Sequence, residues 1–241
     1  MSAALPMLGF YRLNTRVNRS FLGMTLFGGI GLPLIIQAAF GQGLDPEART
    51  RLLIGNVVFG LSMVVLRQTS FGLVVDRTFG YRDLVATTGL TRGAYLAAYG
   101  LHGASLGVLP LVVIAAGFAL PGVAPPTSMA WLAPYLLTVV AFFALGAIFG
   151  GVAEGLPAVS LMANLAVLFT VAFCPVTYPL EHVPALLRPV VSLLPPSLAA
   201  ELMADLWHGG PLADPRLLGL GVWSVALLAL AWRVVPWTDR A

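Results

Sequence analysis

Asp76-Arg77-Thr78-Phe79-Gly80-Tyr81-Arg82-Asp83-Leu84, running on to Thr87-Thr88-Gly89-Leu90-Thr91-Arg92, lies between two long apolar runs, Leu52–Val75 and Ala94–Leu120. Five charged residues fall between Asp76 and Arg92. The runs on either side are continuous rather than alternating, so they are helix rather than sheet. In lipid only a helix or a closed barrel satisfies its own backbone. A charged stretch between two such helices has to sit in water or against a partner's surface.

Composition extends this pattern to the whole chain. It is 59% hydrophobic and 10% charged over 241 residues, where a soluble domain carries about 25% charged residues. The mean hydropathy is +0.91. An all-α polytopic membrane protein is expected, a single transmembrane domain over residues 1–241. Six spans are expected at Phe21–Phe40, Leu52–Val75, Ala94–Leu120, Ala130–Ala153, Leu156–Phe173 and Leu217–Val235. The third is long for one bilayer crossing, and the fourth and fifth meet at Glu154-Gly155-Leu156-Pro157.

The first 20 residues lack a signal peptide's apolar core. Arg12, Arg16 and Arg19 recur at helical spacing on one face, opposite Phe10, Val17 and Phe21. That pattern predicts an interfacial amphipathic helix over 1–20, with its arginines at the lipid headgroups. Arginine bias orients the spans. With the N-terminus inside, the inner segments hold Arg12, Arg16, Arg19, Arg77, Arg82, Arg92, Arg233 and Arg240, against Arg49, Arg51, Arg188 and Arg216 outside. Both termini are then cytoplasmic, in a cell (inner) membrane. Residues 174–215 contain Pro175, Pro179, Pro184, Pro189, Pro195 and Pro196, which break any long helix. Short re-entrant or interfacial helices on the outer side are expected. One of them follows Ser197 as N-cap and carries Leu198, Leu202 and Leu206.

Several kinds of chemistry are excluded. The chain has no lysine, so it has neither a Walker A loop nor a Schiff-base nucleophile. Any ATP and Mg must be bound by another chain. No basic-aromatic patch points to nucleic acid. His102, His182 and His208 are scattered, which argues against a metal site, and the lone Cys174 forms no internal disulfide. Gly60-Leu61-Ser62-Met63-Val64 lacks the second glycine of a nucleophile elbow. Glu181, Glu201, Asp205 and Asp214 fall outside the spans and read as solvated surface.

Three polar residues fall within apolar runs. Arg67 either marks the point where its helix leaves the bilayer or faces a polar cavity, since an arginine at mid-bilayer costs about 2.5–3.5 kcal/mol. Asn56 and Asn164 either bond helix to helix or line a pathway. No catalytic residue is expected.

The order of these parts resembles the ABC type 2 exporter permeases, in particular the drug and nodulation-factor exporters. That family has a cytoplasmic amphipathic start, two spans, a charged internal segment, four more spans and a proline-rich outer stretch before the last. Asp76-Arg77, Phe79-Gly80, Leu84, Gly89-Leu90-Thr91-Arg92 and Tyr95 fill the places of the family's internal pattern. Pro175-Val176-Thr177-Tyr178-Pro179-Leu180-Glu181-His182-Val183-Pro184 resembles its outer signature. Thr78 stands where an acidic residue is often seen, and Gly89 where proline is usual. The resemblance implies a permease without enzymatic activity of its own, paired with a second permease as homodimer or heterodimer and docked on two copies of an ABC ATPase. It makes residues 76–92 the coupling segment. Arg77, Arg82 and Arg92 would pair with carboxylates on the ATPase, and Phe79 and Leu84 would be apolar anchors. It also implies an amphipathic drug, lipid or glycan-type substrate moved outward. A membrane-embedded lipid-modifying enzyme and a non-transporting scaffold are the competing classes.

Overall fold

A computed structural model of the chain describes residues 22–119, 123–172, 174, 178 and 180–237. The expected helix over 1–20, with Arg12, Arg16 and Arg19, lies outside the described residues. Those that are described form helices and loops without a strand. Five helices are long and apolar enough to cross a membrane: α1 (Gly23–Phe40), α2 (Pro46–Thr78), α4 (Arg92–Gly117), α5 (Leu132–Val152) and α9 (Pro215–Val234). A shorter apolar helix, α6 (Leu156–Ala172), has 17 residues. The six expected runs fall on these six helices. Between them lie α3 (Tyr81–Ala86), α7 (Arg188–Val191) and α8 (Pro195–Trp207).

The central element is α2, which packs against α1, α4, α5, α6 and α8. Its 33 residues make it about 50 Å long, more than the ~30 Å hydrocarbon core, so both ends leave the apolar layer. Asp45 caps its start by accepting from the backbone N–H of Ala48 at 2.8 Å, and Pro46 occupies the first turn, where a missing N–H costs nothing. The contact of α2 with α5 is close because Gly146 and Gly150 face it. A Cβ at Gly146 would stand 2.5 Å from the Leu66 carbonyl oxygen, and one at Gly150 2.7 Å from Leu73 Cβ. Small residues four apart let two helix backbones meet in this way.

Both α1 and α2 contain a π-helical turn, Phe27–Gly31 and Ser62–Leu66, and the two turns pack together. The length of α4 is resolved by a break. Pro110 donates no N–H, the Leu111 N–H turns to the Val108 carbonyl at 3.1 Å, and the Tyr135 hydroxyl donates to the Gly107 carbonyl thus left open. Ser197 is not the cap of α8. The helix starts two residues earlier at Pro195, and Ser197 is fully buried within it. Leu198, Leu202 and Leu206 are buried against the bundle as their spacing predicts.

The helices alternate in direction, which gathers the loops into two sets. At one end, the α2–α4 segment meets the C-termini of α5 and α9. At the other, Thr127 and α8 meet: the Thr127 N–H donates to the Trp207 carbonyl at 3.0 Å. Arg216 joins Asp205 and Asp214 there, the latter at 2.6 Å, with Glu201 at 3.5 Å. Glu201, Asp205 and Asp214 are therefore held by an arginine rather than freely solvated. Burial pushes the Glu201 carboxyl above its ordinary value, whereas bonds from Arg216 hold Asp214 below it.

Candidate functional site

The charged segment is built from the end of α2, the short helix α3 and the start of α4. Two left-handed glycines bound α3: Gly80 at φ 72° and Gly89 at φ 76°. Proline is fixed near φ −65° and could not occupy position 89 in this conformation, which explains why glycine stands there. Thr91 caps α4 by accepting from the Ala94 N–H at 3.2 Å.

Its charged side chains turn inward, toward this chain. Asp76 accepts hydrogen bonds from the Tyr95 hydroxyl at 2.8 Å and the Tyr99 hydroxyl at 2.7 Å, which ties α2 to α4. Arg77 donates to the Gly151 carbonyl at 3.1 Å and to the Ala153 carbonyl, both at the C-terminus of α5. Arg92 donates to the Val235 carbonyl at 2.7 Å, at the C-terminus of α9, and its guanidinium lies 5.0 Å from the Trp232 ring centre. Arg82 pairs with Asp83 at 3.4 Å and reaches the Pro236 carbonyl. A helix C-terminus presents unbonded carbonyls and the negative end of its dipole, so arginine suits it. Trp237 packs on Tyr95 with ring centres 5.2 Å apart. Val85 and Leu90 are buried beneath.

The outward surface is apolar. Phe79 is 64% exposed, Leu84 63% and Tyr81 44%. Phe79 and Tyr81 lie side by side, with ring centres 6.3 Å apart. Of the expected coupling residues, Phe79 and Leu84 thus face out, while Asp76, Arg77 and Arg92 hold the segment to α4, α5 and α9. Tyr81 extends the outward face and was passed over in the sequence, although its place two residues from Phe79 marks it.

Arg67 lies within α2, directly after the π-turn, with its guanidinium 5.4 Å from the Phe71 ring centre. The helix continues eleven residues past it to Thr78. Gly146 of α5 lies against Leu66, so Arg67 sits about 9 Å inside the end of α5, near enough for a long side chain to reach headgroups. Next to it, the Gln68 side chain donates to the Thr25 hydroxyl on α1.

Asn56 and Asn164 come together on one groove of about 750 Å³ between α1, α2 and α6. It is otherwise apolar, with Ile36, Phe40, Phe59, Met63 and Leu168 among its walls. Asn56 is fully buried and donates from Nδ2 to Gln37 Oε1 at 2.9 Å. Gln37, on α1, in turn donates from Nε2 to the Arg49 carbonyl at 3.3 Å. Gln37 was missed in the sequence; a lone amide in the first apolar run was the available signal. Asn164 is exposed and bonds within its own helix to Ser160 at 3.4 Å.

These features define a multi-pass helical membrane protein with a short helix that presents an apolar outer face at one end of the bundle and an apolar groove along the bundle's side. The family described as ABC-2 type transporter matches residues 8–206. The chain belongs to that family and is a permease subunit of a transporter. No curated protein matches it.

Proposed function

We propose that this chain is the transmembrane subunit of an ATP-driven ABC exporter in the cell (inner) membrane. It pairs with a second permease, as a homodimer or heterodimer, and docks on two copies of a cytoplasmic ATPase that bind ATP and Mg. The end carrying α3 is cytoplasmic, and both termini lie on that side. The observation that carries this proposal is the apolar face of Phe79, Tyr81 and Leu84 on α3. An apolar triplet held out in water between two spans is an anchor for a partner groove. The groove holding Asn56 and Asn164 is the route for an amphipathic drug, lipid or glycan-type substrate moved outward, and Arg67 lies below it toward the cytoplasm.

The test is purification of tagged chain from its own membrane. It should bring down a vanadate-sensitive ATPase, and the Phe79→Asp, Leu84→Asp double variant should lose that activity at equal expression. If the parent carries no ATPase, or the double variant hydrolyses ATP and transports like the parent, the assignment is wrong.

A further inference from the structure

The side-chain relay at the groove fixes which kind of polar group its ligand must carry. The Arg49 carbonyl can only accept, so Gln37 must turn Nε2 toward it, and the bond is 3.3 Å. Gln37 Oε1 therefore faces Asn56, which must turn Nδ2 toward it, at 2.9 Å. The orientation of both amides follows from one backbone carbonyl, and turning either over would set donor against donor or acceptor against acceptor. Asn56 Oδ1 is what remains. It is buried and has no partner among the described residues. Asn56 itself lies on the wall of the groove. A buried acceptor left unpaired is unfavourable, so a donor brought to it is bound with advantage.

We infer that the groove between α1, α2 and α6 binds an amphipathic molecule without formal charge that donates a hydrogen bond, through a hydroxyl or an amide N–H, to Asn56 Oδ1. The groove's volume of about 750 Å³ lies in the range of sites that enclose a drug-sized ligand, roughly 300–1,000 Å³. Its lining includes no charged side chain, and its polar residues are the two asparagines. A charged headgroup would enter unpaired, which apolar surroundings disfavour strongly. A neutral molecule with a rigid apolar body and one hydroxyl meets both conditions. An ether or ester in the same place would set lone pair against lone pair. Gln37 acts as a positioning residue, because it holds Asn56 in the accepting orientation without lining the groove. The inference rests on the proposed route for substrate but concerns the groove alone.

The experiment uses the full chain in phosphatidylcholine nanodiscs, with empty nanodiscs subtracted. The probes are a radiolabelled neutral sterol bearing a 3-hydroxyl and the same sterol as its 3-methyl ether. The parent should bind the alcohol about tenfold more tightly than the ether, the ratio that one satisfied buried hydrogen bond supports. Asn56→Leu should bind both equally. Gln37→Leu should also lose most of the preference while still binding, because Asn56 is then free to turn and donate. A merely structural role for Gln37 would change both affinities and leave their ratio alone. Equal binding of the two probes by the parent, or a preference that survives Asn56→Leu, would overturn the proposal. So would saturable binding of neither probe together with Leu168→Cys cross-linking to a second copy across the groove, since the groove would then be a subunit contact. A donor preference in a chain that captures no ATPase would sink the exporter assignment and leave this one standing. ATPase coupling with no donor preference would do the reverse.

Discussion

Arg77 and Phe79 are two residues apart and face opposite ways. Arg77 spends its guanidinium on the part-buried carbonyls at the end of α5, and hydrogen bonds that involve a charged group are worth about 1.5–3 kcal/mol. Phe79 is 64% exposed, with the Tyr81 ring beside it. Their variants should therefore separate. Arg77→Leu should lower thermal stability in detergent, because the carbonyls of Gly151 and Ala153 lose their donor. Phe79→Ala should leave the melting temperature unchanged and weaken ATPase capture tenfold or more, since truncating an interface anchor commonly costs 2 kcal/mol or more. Equal melting temperatures for the two variants would contradict this division. Arg77→Glu is a poor probe of docking for the same reason: it disturbs a span. Asp214 offers a second test. Bonds from the side chain and backbone N–H of Arg216 hold its carboxyl below the ordinary value. A depressed folded value means that the contribution to stability is in place above the unfolded value of about 3.9 and is lost as pH falls through the folded one. The stability difference between the parent and Asp214→Asn should be full near pH 6 and shrink below pH 4. A difference independent of pH would show that the pair contributes nothing through charge.

The contact between α2 and α5 depends on Gly146 and Gly150. An added Cβ at Gly146 meets backbone, the Leu66 carbonyl oxygen at 2.5 Å, which no rotamer change relieves. Gly146→Ala should therefore force the helices apart and cost about 1–3 kcal/mol, as overpacking does. Gly155→Ala, where the nearest atom is Pro157 Cδ at 3.8 Å, is the matched control and should be nearly neutral. Unfolding followed by tryptophan fluorescence would compare them, and similar losses for both would refute the close contact. The Gly146-Ala147-Ile148-Phe149-Gly150 spacing was readable in the sequence, yet only the partner helix gives it meaning. The same holds elsewhere. Long apolar runs placed all six helices, because length and hydrophobicity are local properties; five match within about three residues, while α2 starts six residues before the expected Leu52, at Pro46. The inward direction of Arg77 and Arg92 was not readable, because their acceptors are backbone carbonyls 74 and 143 residues away. Carbonyls leave no mark in a sequence. The start of α8 at Pro195 rather than after Ser197 turned on burial: a serine packed in the bundle is not free to cap. Asn56 stood out as a polar residue in a span, but its partner Gln37 and the groove shared with Asn164 required the fold.

The two ends of the bundle differ in kind, and this makes the orientation testable. One carries α3, with Phe79, Tyr81 and Leu84 presented outward and arginines clasping helix C-termini. The other carries Glu201, Asp205 and Asp214 around Arg216, beside His208. The proposed orientation, which rests on the arginine bias of the sequence, has the first end in the cytoplasm. His208 and Leu84 are both exposed and lie at opposite ends, so a cysteine at either should perturb little. In sealed cells, an impermeant maleimide should label His208→Cys and leave Leu84→Cys unlabelled until the membrane is opened. Cys174 is buried and gives a low background. The reverse pattern would place α3 outside, where no ATP-driven partner could reach it, and the exporter assignment would fall with it. If the labelling holds, the stoichiometry follows from the same geometry. One chain supplies one α3 and one groove open along its side, so two permease copies should present two docking helices to two ATPase domains. Native mass measurement in nanodiscs should find two permeases with two ATPases, and an active particle holding one permease would refute that arrangement.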